Sequence, residues 1–143
     1  MNIRNFIFEK DLVPCRNIWE HAGEGVHLSK SDEPAEILKK LERDPDLFLV
    51  AEDESGEVIG TVIGGFDGRR GMMYHLAVVP QHRNKGVASL LVKELEARLR
   101  QKGCTRSYLL VLPSNQTAID FYEKRHWNRS DLYIYGKDLT DDD

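Results

Sequence analysis

Three apolar segments separated by short turns restrict the fold of this chain more than any other feature of its sequence. The segments are residues 47–51, 58–66 and 72–79, and the connections at 54–56 and 67–71 both contain glycine. Short apolar runs bounded by turn residues predict strands, and short connections predict antiparallel neighbours. The sequence therefore predicts a three-stranded antiparallel meander.

Helical patterns lie on both sides of this meander. Residues 11–21, 32–44 and 86–102 repeat apolar side chains at three- and four-residue steps, which predicts amphipathic helices. Asp32 is predicted to cap the second helix, and Gly103 to end the third. The other predicted elements are strands at 2–8, 107–112 and 132–139 and a short helix from Ser114 or Asn115 to about Arg125. The fold class predicted is mixed α/β (α+β), with a central, mostly antiparallel sheet flanked by helices.

Length and composition exclude several classes of protein. The chain has 143 residues, which suits one domain, here residues 1–140, followed by an acidic tail at 141–143. A hydrophobic fraction of 41% and a net charge of −4 argue against a disordered chain and against a general nucleic-acid binder. No segment has the ~20 apolar residues of a membrane helix, and the first residues lack the apolar core of a signal peptide.

The cysteine content predicts a reduced environment. Cys15 and Cys104 are the only cysteines, and neither has Cys or His partners at metal-binding spacing. We therefore expect no metal, a cytoplasmic location and two thiols that pack as core residues.

The segment from 76 to 89 carries the strongest sign of chemistry. An apolar strand stops at Pro80, a basic turn with Arg83 and Lys85 follows, and a helix opens at Gly86. The N-terminus of a helix attracts anions, and glycine lets a ligand approach the backbone closely. The same residues also fit an ordinary strand–turn–helix connection. Residues 69–106 contain nine Lys or Arg and two Glu, a net charge of +7, which favours a small polyanionic ligand at this turn.

Two blocks of sequence resemble a known family. Residues 83–88, Arg-Asn-Lys-Gly-Val-Ala, resemble the Gln/Arg-x-x-Gly-x-Gly/Ala signature of the GNAT superfamily of N-acetyltransferases. The preceding Leu-Ala-Val-x-Pro at 76–80 and the later Asn-x-x-Ala-x-x-x-Tyr at 115–122 also resemble that family. The stretch 50–71 is similar to the small bacterial YpeA-like acetyltransferases.

The resemblance implies acetyl-CoA as co-substrate. Backbone N–H groups of the loop and helix start would hold its pyrophosphate, and the strand before the loop would pair with its pantetheine arm as an added strand. That pairing needs the strand at 72–79 to diverge from the strand at 107–112. The implied binding residues are Leu76, Ala77, Val78, Arg83, Asn84, Lys85, Gly86, Val87, Ala88 and Ser89, together with Asn115, which would bind the pantetheine or its own helix terminus.

The resemblance also implies how the reaction is catalysed. Tyr122 would lie near the thioester sulfur and protonate the leaving thiolate, although its helical spacing equally fits a core residue. Leu110 occupies the position where some relatives have a glutamate that acts as the general base. Alternation along the strand places Tyr74 and His75 on opposite faces, and the orientation typical of the family would put Tyr74 on the substrate side. Tyr74 and a relayed water are the candidate bases, and His75 is expected to be packed. His126 stands where the family commonly has a helix-ending glycine.

Acceptor selection in this fold is expected from the first two helices and their loop. The candidates are Trp19, His21, Glu24 and His27, each of which equally fits a surface or packing role. The activity implied is direct transfer to a primary amine of a small molecule. The alternatives are a protein N-terminal or lysine acetyltransferase and a non-catalytic acyl-CoA sensor. No nucleic acid or membrane partner is expected, and free strand edges allow a homodimer.

Overall fold

The computed structural model describes residues 1–140 of the chain. The predicted acidic tail at 141–143 lies outside the described residues. The chain divides into two compact units, Met1–Leu112 and a shorter unit that begins at Pro113. The helices and strands are β1 (Asn2–Asn5), α1 (Phe8–Glu20), α2 (Pro34–Arg43), β2 (Phe48–Glu52), β3 (Val58–Phe66), β4 (Gly71–Val78), α3 (Val87–Gln101), β5 (Ser107–Tyr108) and α4 (Gln116–Glu123).

The first unit is built on one five-stranded sheet. Its strand order is β1-β2-β3-β4-β5, so neighbours in the sequence are neighbours in the sheet. β1 to β4 are antiparallel, and β5 lies parallel to β4. The predicted meander and the mostly antiparallel sheet are both confirmed.

α1 and α3 contact both β3 and β4. A Cβ built on Gly60 would lie 3.0 Å from Leu91, and one on Gly64 would lie 2.6 Å from Leu95, so α3 packs directly on the backbone of β3. Trp19 of α1 donates its Nε1–H to Thr61 Oγ1 over 3.0 Å. Because Thr61 and Gly60 point to opposite faces of β3, the two helices cover opposite faces of the sheet.

A buried ion pair fastens the start of α1 to β1. The Asp11 carboxylate is fully buried and accepts hydrogen bonds from Arg4 at 2.7 and 2.9 Å and from the Ile7 backbone N–H at 2.7 Å. Arg4 also contacts Glu52 of β2 at 2.8 Å. Burial alone raises the pKa of Asp11, but the bonds from Arg4 and Ile7 outweigh it and lower that pKa below its usual value. The carboxylate is therefore ionised in the folded chain at neutral pH.

Several predicted boundaries were wrong. α1 begins at Phe8 rather than at residue 11, and β1 ends at Asn5 rather than at 8. α2 begins after Glu33, so Asp32 does not cap it. Asp32 instead accepts a bond from the Ser29 N–H at 3.0 Å within a 3₁₀ turn. Its other carboxylate oxygen, Oδ1, lies 2.7 Å from His75 Nε2 of β4. Both oxygens are therefore bonded away from the start of α2.

β5 is shorter than the sequence predicts. Only Ser107 and Tyr108 pair with β4, so the predicted strand at 107–112 stops early.

The two cysteines differ in burial. Cys15 is buried, and burial raises the pKa of its thiol. Cys104 is half-buried, and its Sγ donates to the Arg106 carbonyl at 3.3 Å, so the expected core position is confirmed for Cys15 and wrong for Cys104.

The second unit holds α4. Asn115 caps it as predicted, since its Oδ1 accepts from the Ala118 N–H at 3.2 Å. At the other end, Trp127 N–H donates to the Tyr122 carbonyl at 3.1 Å and His126 N–H to the Glu123 carbonyl at 3.2 Å, with a φ of 69° at His126. This is the Schellman arrangement. His126 thus takes the left-handed geometry that glycine would adopt with less strain.

The predicted closing strand at 132–139 is wrong. No helix or strand is assigned between 128 and 140, the last described residue. The side chains of Leu132, Tyr133, Ile134, Tyr135 and Leu139 are all exposed. Their alternation is typical of a strand, but a strand also needs a hydrogen-bonded neighbour, and none pairs with this segment among the described residues.

Candidate active site

The connection between β4 and α3 has an unusual backbone. A 3₁₀ turn spans Pro80–His82, and two residues after it have left-handed geometry, with φ of 62° at Asn84 and 83° at Gly86. Gly86 is the N-cap of α3, so the helix begins one residue after the predicted start. A Cβ built on it would meet no heavy atom within 4 Å. The backbone here therefore faces open space that a ligand can enter.

The first turn of α3 lies directly behind this open space. Its first intrahelical bond runs from the Leu90 N–H to the Gly86 carbonyl at 3.1 Å, and no side chain caps the terminus. Three residues of α3 precede Leu90. The side chain of Val87 is buried, and those of Ala88 and Ser89 are half-buried. The partial positive charge of a helix N-terminus suits an anion at this point.

One basic side chain of the loop, that of Arg83, is hydrogen-bonded to the end of β4. Arg83, Asn84 and Lys85 are all exposed. The Arg83 Nε donates to the Val78 carbonyl at 3.0 Å, so its guanidinium is fixed at the end of β4. The sequence pattern does not reveal this bond, because it depends on where the loop turns back.

β4 offers a partly unpaired edge beside this loop. β5 pairs with β4 only at Gly71 and Met72. Among the described residues no strand pairs with the rest of that edge, which includes Leu76, Ala77 and Val78. The free edge that the pantetheine pairing requires is therefore present, because β5 stops at Tyr108 and not because two long strands diverge. Unpaired backbone groups of this kind can hydrogen-bond an extended ligand as if it were a strand.

A bulge interrupts β4 in the middle of its length. Thr61 of β3 lies opposite Ala77 and Ile63 lies opposite Tyr74, so two steps on β3 face three on β4. His75, within the bulge, has a φ of 54°. The predicted alternation holds from 72 to 74, where Met73 is buried, but the bulge shifts its phase beyond that point.

Tyr74 lies just before the bulge and is 38% exposed. Burial of part of the ring and the nearby carboxylates of Asp32 and Asp44 raise its pKa to about 12. Its phenol is therefore protonated at neutral pH, which makes it a hydrogen-bond donor there and leaves almost no phenolate to act as a base.

His75 is packed, as predicted. Its Nε2 lies 2.7 Å from Asp32 Oδ1, and its ring meets the edge of the Trp19 ring with centroids 4.9 Å apart. The Thr61 hydroxyl donates to the His75 carbonyl at 2.8 Å. Both the ring and the backbone of His75 are thus held by neighbours.

Within the second unit, Tyr122 lies on α4 among aromatic rings. Phe121 and Trp127 meet its ring at centroid distances of 5.2 and 6.1 Å, in edge-on geometry. Burial raises the pKa of Tyr122 to about 12, so this phenol also carries its proton at neutral pH.

The candidate acceptor residues differ in exposure. Trp19 is 1% exposed and belongs to the core, which favours the packing role over contact with an acceptor. This agrees with its place on the apolar stripe of α1. His21, Glu24 and His27 are exposed at the end of α1 and in the turn that follows. His21 Nδ1 lies 2.8 Å from the Asn17 carbonyl.

The described residues form neither a membrane-spanning helix nor a metal site. Among the described residues, no helix combines the length and apolar character needed to cross a membrane. Residues 1–140 also contain no group of three or more His, Cys, Asp or Glu side chains that could hold a metal ion.

Comparison with known proteins agrees with this geometry. A family model described as "Acetyltransferase (GNAT) family" matches residues 11–127. The chain is 43% identical to an acetyltransferase of Pectobacterium atrosepticum over 142 residues, covering 99% of this chain and 98% of that one. Among solved structures, Ard1 from Thermoplasma volcanium superposes with a TM-score of 0.75 at 25% identity, over 87% of this chain and 80% of that one.

A second solved structure shares the fold at lower identity. The aminoglycoside antibiotic 6'-N-acetyltransferase from Acinetobacter haemolyticus has a TM-score of 0.74 at 20% identity, over 99% of this chain and 100% of that one. The region that the family model matches, residues 11–127, contains β4 with the loop after it and also α4. This chain belongs to the GNAT family of acetyltransferases and is an acetyl-CoA-dependent acyltransferase.

Proposed function

We propose that this enzyme transfers the acetyl group of acetyl-CoA to a primary amine of a small molecule, by direct attack in a ternary complex. The observation that supports this most is the combination of an open, anion-attracting helix start at Gly86 with an edge of β4 at Leu76–Val78 that pairs with no other strand of the described residues. The first suits a pyrophosphate and the second suits the amides of a pantetheine arm. The Val78 carbonyl at the end of this edge is bonded to Arg83, and the other backbone groups of the edge are those offered to the ligand. A domain formed by residues 1–140 and a cytoplasmic location, where both thiols stay reduced, belong to the same proposal.

In this proposal each part of the donor has its own residues. The backbone from Arg83 to Ser89 holds the pyrophosphate, and the cationic side chains of Arg83 and Lys85 add attraction at the same point. The backbone of Leu76, Ala77 and Val78 binds the pantetheine arm. Asn115 contributes either to that arm or, through the cap described above, only to its own helix.

Tyr122 is the proposed acid of the reaction. The amine forms a bond to the thioester carbonyl carbon, the carbon–sulfur bond breaks, and the sulfur needs a proton. A phenol with a pKa of about 12 carries its proton at neutral pH and can donate it to the developing thiolate. The proton that the amine releases then returns the resulting phenolate to the phenol form. Tyr74 is the proposed second catalytic group: its phenol oxygen accepts a hydrogen bond from the amine N–H, or from a water that relays the amine proton, and so orients the attacking amine.

The acceptor is proposed to bind at His21, Glu24 and His27. A small amine is favoured over a peptide because Leu110, 62% exposed, stands where the glutamate base of some relatives would be. The acetyltransferase of similar fold from Acinetobacter haemolyticus has a small-molecule acceptor in its name.

Thermal shift and thiol release test this function. We expect acetyl-CoA to raise the melting temperature, and thiol release with at least one member of a panel of amino acids, polyamines, amino sugars and short peptides. Turnover of peptides alone would favour a protein acetyltransferase. A shift without turnover on any amine would favour an acyl-CoA sensor, and no shift at saturation would refute all three.

A substitution then tests Tyr122. Tyr122→Phe is expected to lower kcat by about 10²- to 10⁴-fold, the usual contribution of a general acid, with little change in acetyl-CoA affinity. Tyr133→Phe, on an exposed tyrosine, is the matched control and should leave kcat unchanged. Equal kcat for the two variants would remove Tyr122 as the acid.

A further inference from the structure

His75 keeps a conformation that costs energy. A residue with a Cβ is strained at the φ of 54° that His75 adopts. Such strain persists only where the surroundings enforce it, and it concentrates at functional sites. Here the enforcing contacts are the Asp32 carboxylate on the ring, the Trp19 ring edge and the Thr61 hydroxyl on the backbone carbonyl.

Asp32 brings a second segment of the chain to the same point. It is buried at the end of the 3₁₀ turn Lys30–Asp32, and its two oxygens are divided between His75 Nε2 and the Ser29 N–H. Its own carbonyl accepts a bond from the Arg16 guanidinium. Although burial raises the pKa of Asp32, the hydrogen bonds from His75 and from the Ser29 N–H lower it overall, so the carboxylate is ionised at neutral pH. The pair thus joins the segment between α1 and α2 to the bulge of β4.

We propose that Asp32 and His75 are positioning residues that clamp the acceptor-side turn, Ser29–Glu33, to the donor-side strand β4. The clamp sets the separation between the two substrates, and it fixes the ring of Tyr74, which meets the His75 ring edge-on at 5.5 Å. This inference rests on the proposed function, because it takes β4 as the strand that binds acetyl-CoA and the segment after α1 as the acceptor side.

The turn itself offers a readout that needs no substrate. The Asp32 N–H donates to the Ser29 carbonyl at 3.0 Å, and the Glu33 N–H donates to the Lys30 carbonyl at 3.2 Å. Hydrogen exchange at these two amides reports how firmly the turn is held. Loss of the His75–Asp32 bond should accelerate both.

Three variants separate the bond from the bulk of the ring. His75→Phe keeps a ring and removes the donor. His75→Gln places an amide N–H near the position of Nε2 and restores the bond to Asp32. Asp32→Asn keeps the shape and removes the charge. For His75→Phe we expect about tenfold faster exchange at the turn and an acceptor KM raised about tenfold, with the acetyl-CoA dissociation constant within about twofold of the original.

A destabilised control guards against a trivial explanation. Val62→Ala removes buried apolar volume from β3 without touching the clamp, and it lowers global stability in the same way as a core defect. The clamp is supported if His75→Phe changes exchange and acceptor KM, His75→Gln recovers most of both, and Val62→Ala changes neither. If His75→Phe fails to fold, Asp32→Asn and His75→Gln carry the same comparison.

Three results would overturn the proposal. They are equal effects of Val62→Ala and His75→Phe, unchanged exchange at the turn in both His75 variants, and a loss of acetyl-CoA affinity that accounts for the whole loss of turnover. If the unmodified enzyme turns over no amine in the panel, the proposed function fails by itself. The exchange measurement then still decides whether the clamp exists.

Discussion

Replacement of Gly86 by alanine separates ligand binding from stability. Gly86 and Gly56 have nearly equal φ, 83° and 86°, and a Cβ on either would meet nothing within 4 Å. Alanine at such a φ costs about 1–2 kcal/mol of folding free energy, and at this chain length each kcal/mol lowers the melting temperature by about 4 °C. Gly86→Ala and Gly56→Ala should therefore lose similar stability, measured by thermal unfolding without ligand.

Only Gly86→Ala should lose affinity for acetyl-CoA. Its methyl group would occupy the open space at the helix start and keep a phosphate from the backbone N–H groups. The loss of one charge-assisted hydrogen bond, about 1.5–3 kcal/mol, corresponds to a roughly 10- to 100-fold higher dissociation constant. Isothermal titration with acetyl-CoA on both variants measures it. Equal dissociation constants for Gly86→Ala and Gly56→Ala would refute the placement of the pyrophosphate at this turn.

Three further predictions concern charge and packing. Lys85→Gln should weaken acetyl-CoA binding more at low than at high salt; a loss that does not depend on salt would contradict an electrostatic role. Asp11→Asn should lower the free energy of unfolding by about 3 kcal/mol at pH 7, as measured by urea unfolding. Because folding lowers the pKa of Asp11, this contribution shrinks as the pH falls below the usual carboxyl pKa and through the folded pKa, so a stability difference that stays constant as the pH is lowered would be contrary to expectation. Gly64→Ala should lose about 1–3 kcal/mol by overpacking, whereas the neighbouring Gly65→Ala, whose Cβ would lie 3.6 Å from its nearest contact, should lose little.

Local patterns in the sequence are sufficient for the features that depend on neighbours along the chain. The apolar stripe of α3, its start next to Gly86 and a cap of α4 at Ser114 or Asn115, of which the structure uses Asn115, are predicted correctly. In each case the interacting atoms lie within about four residues, so residue type and spacing contain the necessary information.

Features that depend on distant partners were not predictable in the same way. The bulge at His75 exists only relative to β3, and the role of Asp32 depends on a ring 43 residues away. Trp19 lies on the apolar stripe of its helix, but its hydrogen-bond partner Thr61 is 42 residues away and does not follow from that spacing. The alternation at 132–139 satisfies half of the requirement for a strand, because a sheet neighbour must supply the rest.

The close packing of α3 on β3 has an evolutionary consequence. A Cβ on Gly60 would lie 3.0 Å from Leu91 and 3.2 Å from Val87, the first residue of the helix. Any relative with a larger residue at position 60 must therefore shrink a partner or raise the whole helix start away from the sheet. Covariation between position 60 and positions 87 and 91 is the expected signature. With the acetyl donor at the start of α3, as proposed, a lineage would adjust its affinity for that donor through a strand residue behind the helix.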